Sequence, residues 1–197
     1  MTRAKGDSGA TIVEFALLMP FLLLLALGTG EMGLGWVAND RVESASAQAA
    51  RVAAVSGGRT EADRDVLVAL AAALPASELA RLNRVVVFKP GAHGAMPSGC
   101  VKAATDTSET GVASTCNTYT GATVRATTST SMTGFGGGAT AKDRYWSPVS
   151  RNDALSDPPD YIGVWLRTTH VSQLGSLFGA LTVTKVSIFR IQPDLAG

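Results

Sequence analysis

The chain has 197 residues, a length suited to one compact domain plus an anchor rather than two enzyme domains. Its formal net charge of +1 leaves no basic excess of the kind a nucleic-acid partner needs. Hydrophobic residues make up 46%, with the excess concentrated between Ile12 and Val37 and the remainder rich in Ala, Thr, Ser and Gly.

Arg3 and Lys5 give the N-terminus a short positive head, followed by an almost purely aliphatic run from Phe15 to Leu27. Apolar character continues through Leu34, Trp36 and Val37. A helix needs about 20 residues, at roughly 1.5 Å each, to cross a hydrocarbon core, and Ile12 to Val37 supplies them. Basic residues before the run and none just after it predict a single-pass segment with a cytoplasmic N-terminus. Trp36 then falls at the outer interface, where aromatic side chains anchor. The rest of the chain becomes an extracytoplasmic head. A cleaved signal peptide is the alternative, with Ala26 and Gly28 as its small-x-small site and a mature start near Thr29. Glu14, a charge inside what would be its apolar core, argues against that reading.

Glu14 has two explanations. Near the end of the span, its carboxylate can snorkel to the headgroups, avoiding a cost on the order of 3 kcal/mol at the bilayer centre. Alternatively, cutting after Gly9 removes Arg3, Lys5 and Asp7 and creates an α-amine on Ala10. In a bundle of such helices that amine can pair with Glu14 of a neighbour and fix the stagger between subunits. The run Gly9-Ala-Thr-Ile-Val-Glu14-Phe15-Ala-Leu-Leu-Met-Pro20-Phe-Leu-Leu-Leu-Leu, followed by Gly30-Glu31-Met32-Gly33, resembles the N-terminal signature of TadE-like pseudopilins. These are minor pilin-like proteins of the tight-adherence (Tad, Flp-type) branch of type IV pilus systems. The Ala-Arg segment from Ala49 to Ala54 is similar to that family's segment after the membrane, so the resemblance covers about the first quarter of the chain.

The resemblance implies processing after Gly9 by a prepilin peptidase, with Gly9, Ala10, Glu14 and Phe15 as the processing residues. It implies helix packing that involves Glu14, Pro20 and Glu31. The implied partners are the bilayer, other pilin-like subunits, the Tad assembly machinery and the peptidase, with pilus biogenesis and adhesion as the role. The expected location is the cytoplasmic membrane, and a surface pilus after assembly. Pro20 predicts a kink, or simply reflects the tolerance of membrane helices for proline. Gly28, Gly30, Gly33 and Gly35 permit close backbone approach and predict local unwinding beyond the bilayer.

Val42, Ala45, Ala49 and Val52 continue the helix as an amphipathic one, with Arg41, Glu43, Ser44 and Gln48 pointing elsewhere, until Gly57-Gly58 ends it. Thr60 to Leu82 reads as a second helix or helix pair. Thr60 caps it with Asp63 three residues on, Val66, Leu67, Leu70, Ala73 and Leu74 form the apolar face, Pro75 interrupts, and Ser77 caps a last turn. Arg84 to Lys89 is a short strand. In the Thr-, Ser- and Gly-rich stretch from Gly91 to Thr140, Ala122 to Thr128 is the candidate strand. Cys100 and Cys116 form one disulfide, since a lone pair in an oxidising compartment lacks the further ligands of a metal site. Tyr161 to Thr169 is a strand, Val171 to Phe178 a short helix or turn, and Leu181 to Ile191 a long strand. Its alternation changes phase near Lys185, through a bulge or a change of covering face.

No catalytic set emerges. His93 and His170 have no acid or nucleophile beside them, and Gly134 to Gly138 lacks the flanking residues of a phosphate loop. Asn152, Asp153, Asp157 and Asp160 depart from Ca²⁺-loop spacing and read as solvated acids. The expectation is a protein that is not an enzyme, with no cofactor, metal, nucleic acid or small-molecule substrate. Its expected division is a leader (1–9), a transmembrane helix (10–37), an amphipathic extension (38–58) and a head (59–197). The fold class is α+β and pilin-like: a long N-terminal helix, then a small, mainly antiparallel sheet with short helices.

Overall fold

The structure is a computed structural model that describes residues 8–154, 158–172, 175 and 179–193. Arg3, Lys5 and Asp7 of the expected leader, Asp157, and most of the expected cover at Val171 to Phe178 lie outside the described residues. One helix, α1, runs from Ser8 to Ser56 and contains Pro20. It stays helical through Gly28 to Gly35 as well, so the expected unwinding does not occur. Each glycine weakens a helix by about 1 kcal/mol, but long helical flanks on both sides spare this stretch the cost of nucleation.

The second half of α1 is part of the head's core. Val42, Ala45, Ala49, Ala50 and Ala53 are fully or almost fully buried, and Val52 packs at the margin. Alanine along this face lets the helix lie close to the sheet, and the Ser46 hydroxyl donates to the Val164 carbonyl at 3.2 Å. A turn at Gly57 (φ +52°) reverses the chain into α2 (Ala62–Ala73), followed by α3 (Ala76–Ala80). The sheet has the order β2-β1-β3-β4 and is antiparallel throughout: β1 (Leu82–Phe88), β2 (Cys116–Thr120), β3 (Tyr161–Val171) and β4 (Ala180–Arg190). The architecture is therefore α+β, as expected.

Alternation along the strands separates two cores. Val85, Val87, Ile162, Val164 and Leu166 face α1 and α2. Val86, Phe88 and Trp165 face the opposite side, where the loop between β1 and β2 carries the Cys100–Cys116 disulfide. Gly163 sits opposite Phe88 in register, and a Cβ there would lie 2.4 Å from the Phe88 ring. The glycine makes room for the aromatic ring.

Three local expectations are corrected, and one open alternative is decided. Thr60 does not cap α2: the residue before the helix is Glu61, without a side-chain cap, and the Thr60 hydroxyl bonds Glu61 at 2.8 Å. Ser77 does not cap either, because it lies inside α3, whose N-cap is Pro75, and Leu82 already belongs to β1. The strand expected at Ala122 to Thr128 is instead helix α4 (Gly121–Ala126), capped by the Thr120 hydroxyl accepting from the Thr123 amide at 3.3 Å. The strand lies just before it, at β2. The phase change near Lys185 involves no bulge: the β3–β4 register is unbroken from Tyr161↔Arg190 to Val171↔Ala180. Its cause is the covering face. Val183 packs toward α1 and Lys185 reaches Glu43 of α1 at 2.7 Å, while Ile188 packs on the disulfide side. Among the described residues, the register shift in the sheet lies in β1–β3, between Leu82 and Arg84.

Candidate functional site: the exposed helix and the groove beside it

Aliphatic side chains along the first part of α1 find nothing to pack on among the described residues. Every residue from 11 to 27 is exposed, including Ile12, Phe15 (60%) and the leucines of the run. No residue in its most apolar stretch is buried, and the helix is long and apolar enough to cross a membrane once. Glu14 and Phe15 are exposed on this helix, and so is Pro20. Gly9 and Ala10 belong to its first turns, where the backbone alone is described. Glu31 is half-buried, 17 residues or about 25 Å beyond Glu14 along the axis. Glu14, Phe15, Pro20 and Glu31 thus share one rod, whereas Cys100 and Cys116 lie on the far side of the sheet.

Where the rod meets the head there is an open groove of about 820 Å³. One wall is α1 from Gly28 to Asn39, and the other is the end of the β3–β4 hairpin, with His170 and Leu181. A Cβ added at Gly30, Gly33 or Gly35 would meet nothing within 4 Å, so these glycines are not required by packing inside the chain. Behind His170 lies Glu78 of α3, a buried carboxylate with Oε1 3.7 Å from the imidazole Nδ1.

The head's polar centre lies at its other end. Asp63, Val66, Leu67 and Leu70 occupy one stripe of α2, which carries the carboxylate into the core. There Asp63 forms a fully buried ion pair with Arg151 and also accepts from the Tyr119 hydroxyl and, at 2.8 Å, from the Asn117 amide. Asn117 holds the Trp146 backbone from both sides, N–H to Oδ1 at 2.9 Å and Nδ2–H to C=O at 2.8 Å. The Arg151 guanidinium stacks over the Trp146 ring at 4.4 Å. Burial, then the Asp63 charge, pushes the Tyr119 hydroxyl well above its usual pKa. Asp143 accepts from the Gly136 and Gly137 amides at 2.8 Å each, and burial raises its pKa against those donors. This network fastens the long connection between α4 and β3 to α2 and β2. It contains no nucleophile beside a base, and its members already bond one another.

The sequence did not reveal this network. The available signal was Asp63 on the apolar stripe of α2, one turn before Val66 and Leu67; reading it as a cap obscured that. Among the described residues no group of three or more His, Cys, Asp or Glu is placed to hold a metal ion. Asp153 and Asp160 are engaged by the Gly58 amide at 3.1 Å and by Lys89 at 2.7 Å.

A family model described as TadE-like protein matches residues 9–51, which contain the whole exposed rod and the first turns that enter the core. No curated protein and no solved structure matches the chain. Through that segment, from Gly9 to Arg51, the chain is similar to TadE-like proteins.

Proposed function

We propose that the chain is a minor pilin-like subunit of a Tad-type pilus assembly or secretion system, processed after Gly9 and acting in pilus biogenesis and adhesion. The observation that carries this reading is the continuity of α1. An apolar rod with no partner among the described residues runs without a break into the core of a folded head, across the segment that matches the TadE-like family. Such a protein can be held in a bilayer by its first half and later pack that half against copies or relatives. Glu14 then has a role in either setting: near the headgroups before assembly, and opposite the Ala10 amine of a neighbour afterwards. The head lies outside the cytoplasm, in keeping with a disulfide.

Mass spectrometry of the mature N-terminus tests the processing step. In cells with an active prepilin peptidase the chain should begin at Ala10, and a chain that retains Gly9 would overturn it. Glu14→Ala should leave the protein in the membrane fraction and reduce its recovery with sheared filaments. Intact incorporation of that variant would refute the pairing role. Shearing also separates a pilus component from a permanently anchored scaffold, which stays with the cells.

A further inference from the structure

We infer that the end of the β3–β4 hairpin, at Leu181, rests at the level of the lipid headgroups, and that phospholipid fills the groove between it and α1. The inference rests on reading α1 as a membrane span. A hydrocarbon core about 30 Å thick takes up about 20 helical residues. Counted from Thr11, these end at Gly30, so Glu31 to Trp36 emerge into the outer headgroup layer.

The hairpin is built to reach that layer. At its far end the Gln192 amide donates to the Ala54 carbonyl at 2.9 Å, tying the close of β4 to the last turns of α1. From Gln192 back to Leu181 is about 36 Å of strand at ~3.3 Å per residue. From Ala54 back to Gly30 is likewise about 36 Å of helix at ~1.5 Å per residue. The strand end and the outer end of the span therefore arrive at the same height, and Leu181 and Gly33 line the same groove.

The walls suit lipid. Met32 and Trp36 are each 77% exposed and Leu181 is 57% exposed; among the described lining residues there is no Lys or Arg, and Glu31 is the one carboxylate. Glycines at 33 and 35 leave space beside the helix instead of side chains. The surface is continuous with the exposed apolar rod below it, so a bilayer around residues 11–30 meets the groove without a gap. His170 and Ser172 add polar groups at the same level, where headgroups are hydrated. The head is thus seated against the bilayer instead of being held clear of it by a stalk.

Nitroxide labelling of the full chain in phosphatidylethanolamine–phosphatidylglycerol vesicles tests this. Both native cysteines are bridged, so each introduced cysteine is the one site labelled. Leu22→Cys reports the span, Leu181→Cys the hairpin, and Val149→Cys the opposite end of the head, two residues from the Asp63 partner Arg151. The ratio of oxygen to nickel-chelate collisions should be highest at 22, lowest at 149 and clearly between them at 181. A label at 181 that reads like 149 while 22 reads deep overturns the inference and leaves the span intact. Aqueous readings at 22 overturn the span, and the inference with it. Shielding at 181 from both reagents, with spin–spin broadening that disappears on dilution with unlabelled chain, makes a second copy the occupant and overturns it too.

Discussion

Asp63 concentrates much of the head's specificity in one carboxylate. It is fully buried, and its charge is compensated by Arg151 and by the hydroxyl and amide of Tyr119 and Asn117. Removing one partner leaves the other charge stranded, so Asp63→Ala should destabilise the head by about 3–5 kcal/mol. Urea unfolding of the full chain in detergent, followed by tryptophan fluorescence, measures this. The double variant Asp63→Leu/Arg151→Met should recover most of the loss, because replacing a whole buried pair by apolar groups is often neutral. Glu109 gives a pH-dependent counterpart. Burial raises its pKa, but Lys142, the Thr120 amide and the Thr123 and Thr120 hydroxyls together bring it below the ordinary 4.5. A carboxylate depressed in the folded state stabilises fully above its unfolded pKa and loses that contribution as pH falls through the folded value. Glu109→Gln should therefore be less stable than the parent at pH 7, and the gap should close as the pH drops below 4.5. Thermal melts across that range provide the comparison.

Among the elements, the strands show what the sequence could convey. Tyr161 to Thr169 and Leu181 to Ile191 were legible because β-branched and aromatic residues run there without a helix-forming alternative. The helix α4 was not. Its Thr-rich sequence favours a strand locally, but Gly121 lies so close to the Leu82 carbonyl that a Cβ would be 1.7 Å from the oxygen, and the Thr120 cap then turns the chain into a helix. Tertiary contact overrode propensity. The cysteine pair was legible from composition, whereas the Asp63 cluster draws on residues up to 88 apart in sequence that no local pattern links. The groove likewise needs a helix and a hairpin end that meet only in space. The pairing of Gly163 with Phe88 makes a test at this scale. Gly163→Ala places a methyl group into the Phe88 ring and should cost about 1–3 kcal/mol by overpacking. If Phe88→Leu restores stability to the alanine variant, the ring is the cause; a deficit of the same size in both backgrounds would locate the cost in the strand backbone.

In the molecule as a whole, the two faces of the sheet are secured by different means. One is covered by α1 and α2. The other is covered by a loop closed by the disulfide at a sequence separation of 16, which for a loop of that size is worth roughly 3 kcal/mol. The loop is held also by Arg84 and Arg167, which donate to its Ser108 and Lys102 carbonyls. Reduction should therefore lower the melting temperature of the head and expose the segment between β1 and β2 to protease, with α1 still in the membrane. Mass mapping of the first cuts checks the location. The unbroken course of α1 has a mechanical meaning as well. The helix is at once the shaft in the bilayer and a spine of the head, so neither can turn or slide alone. A pull that draws the shaft outward by one residue lifts the head by about 1.5 Å, and advancing along the helical path also turns it by about 100°. A force applied along or about the exposed half of α1 therefore reaches the head through one continuous helix.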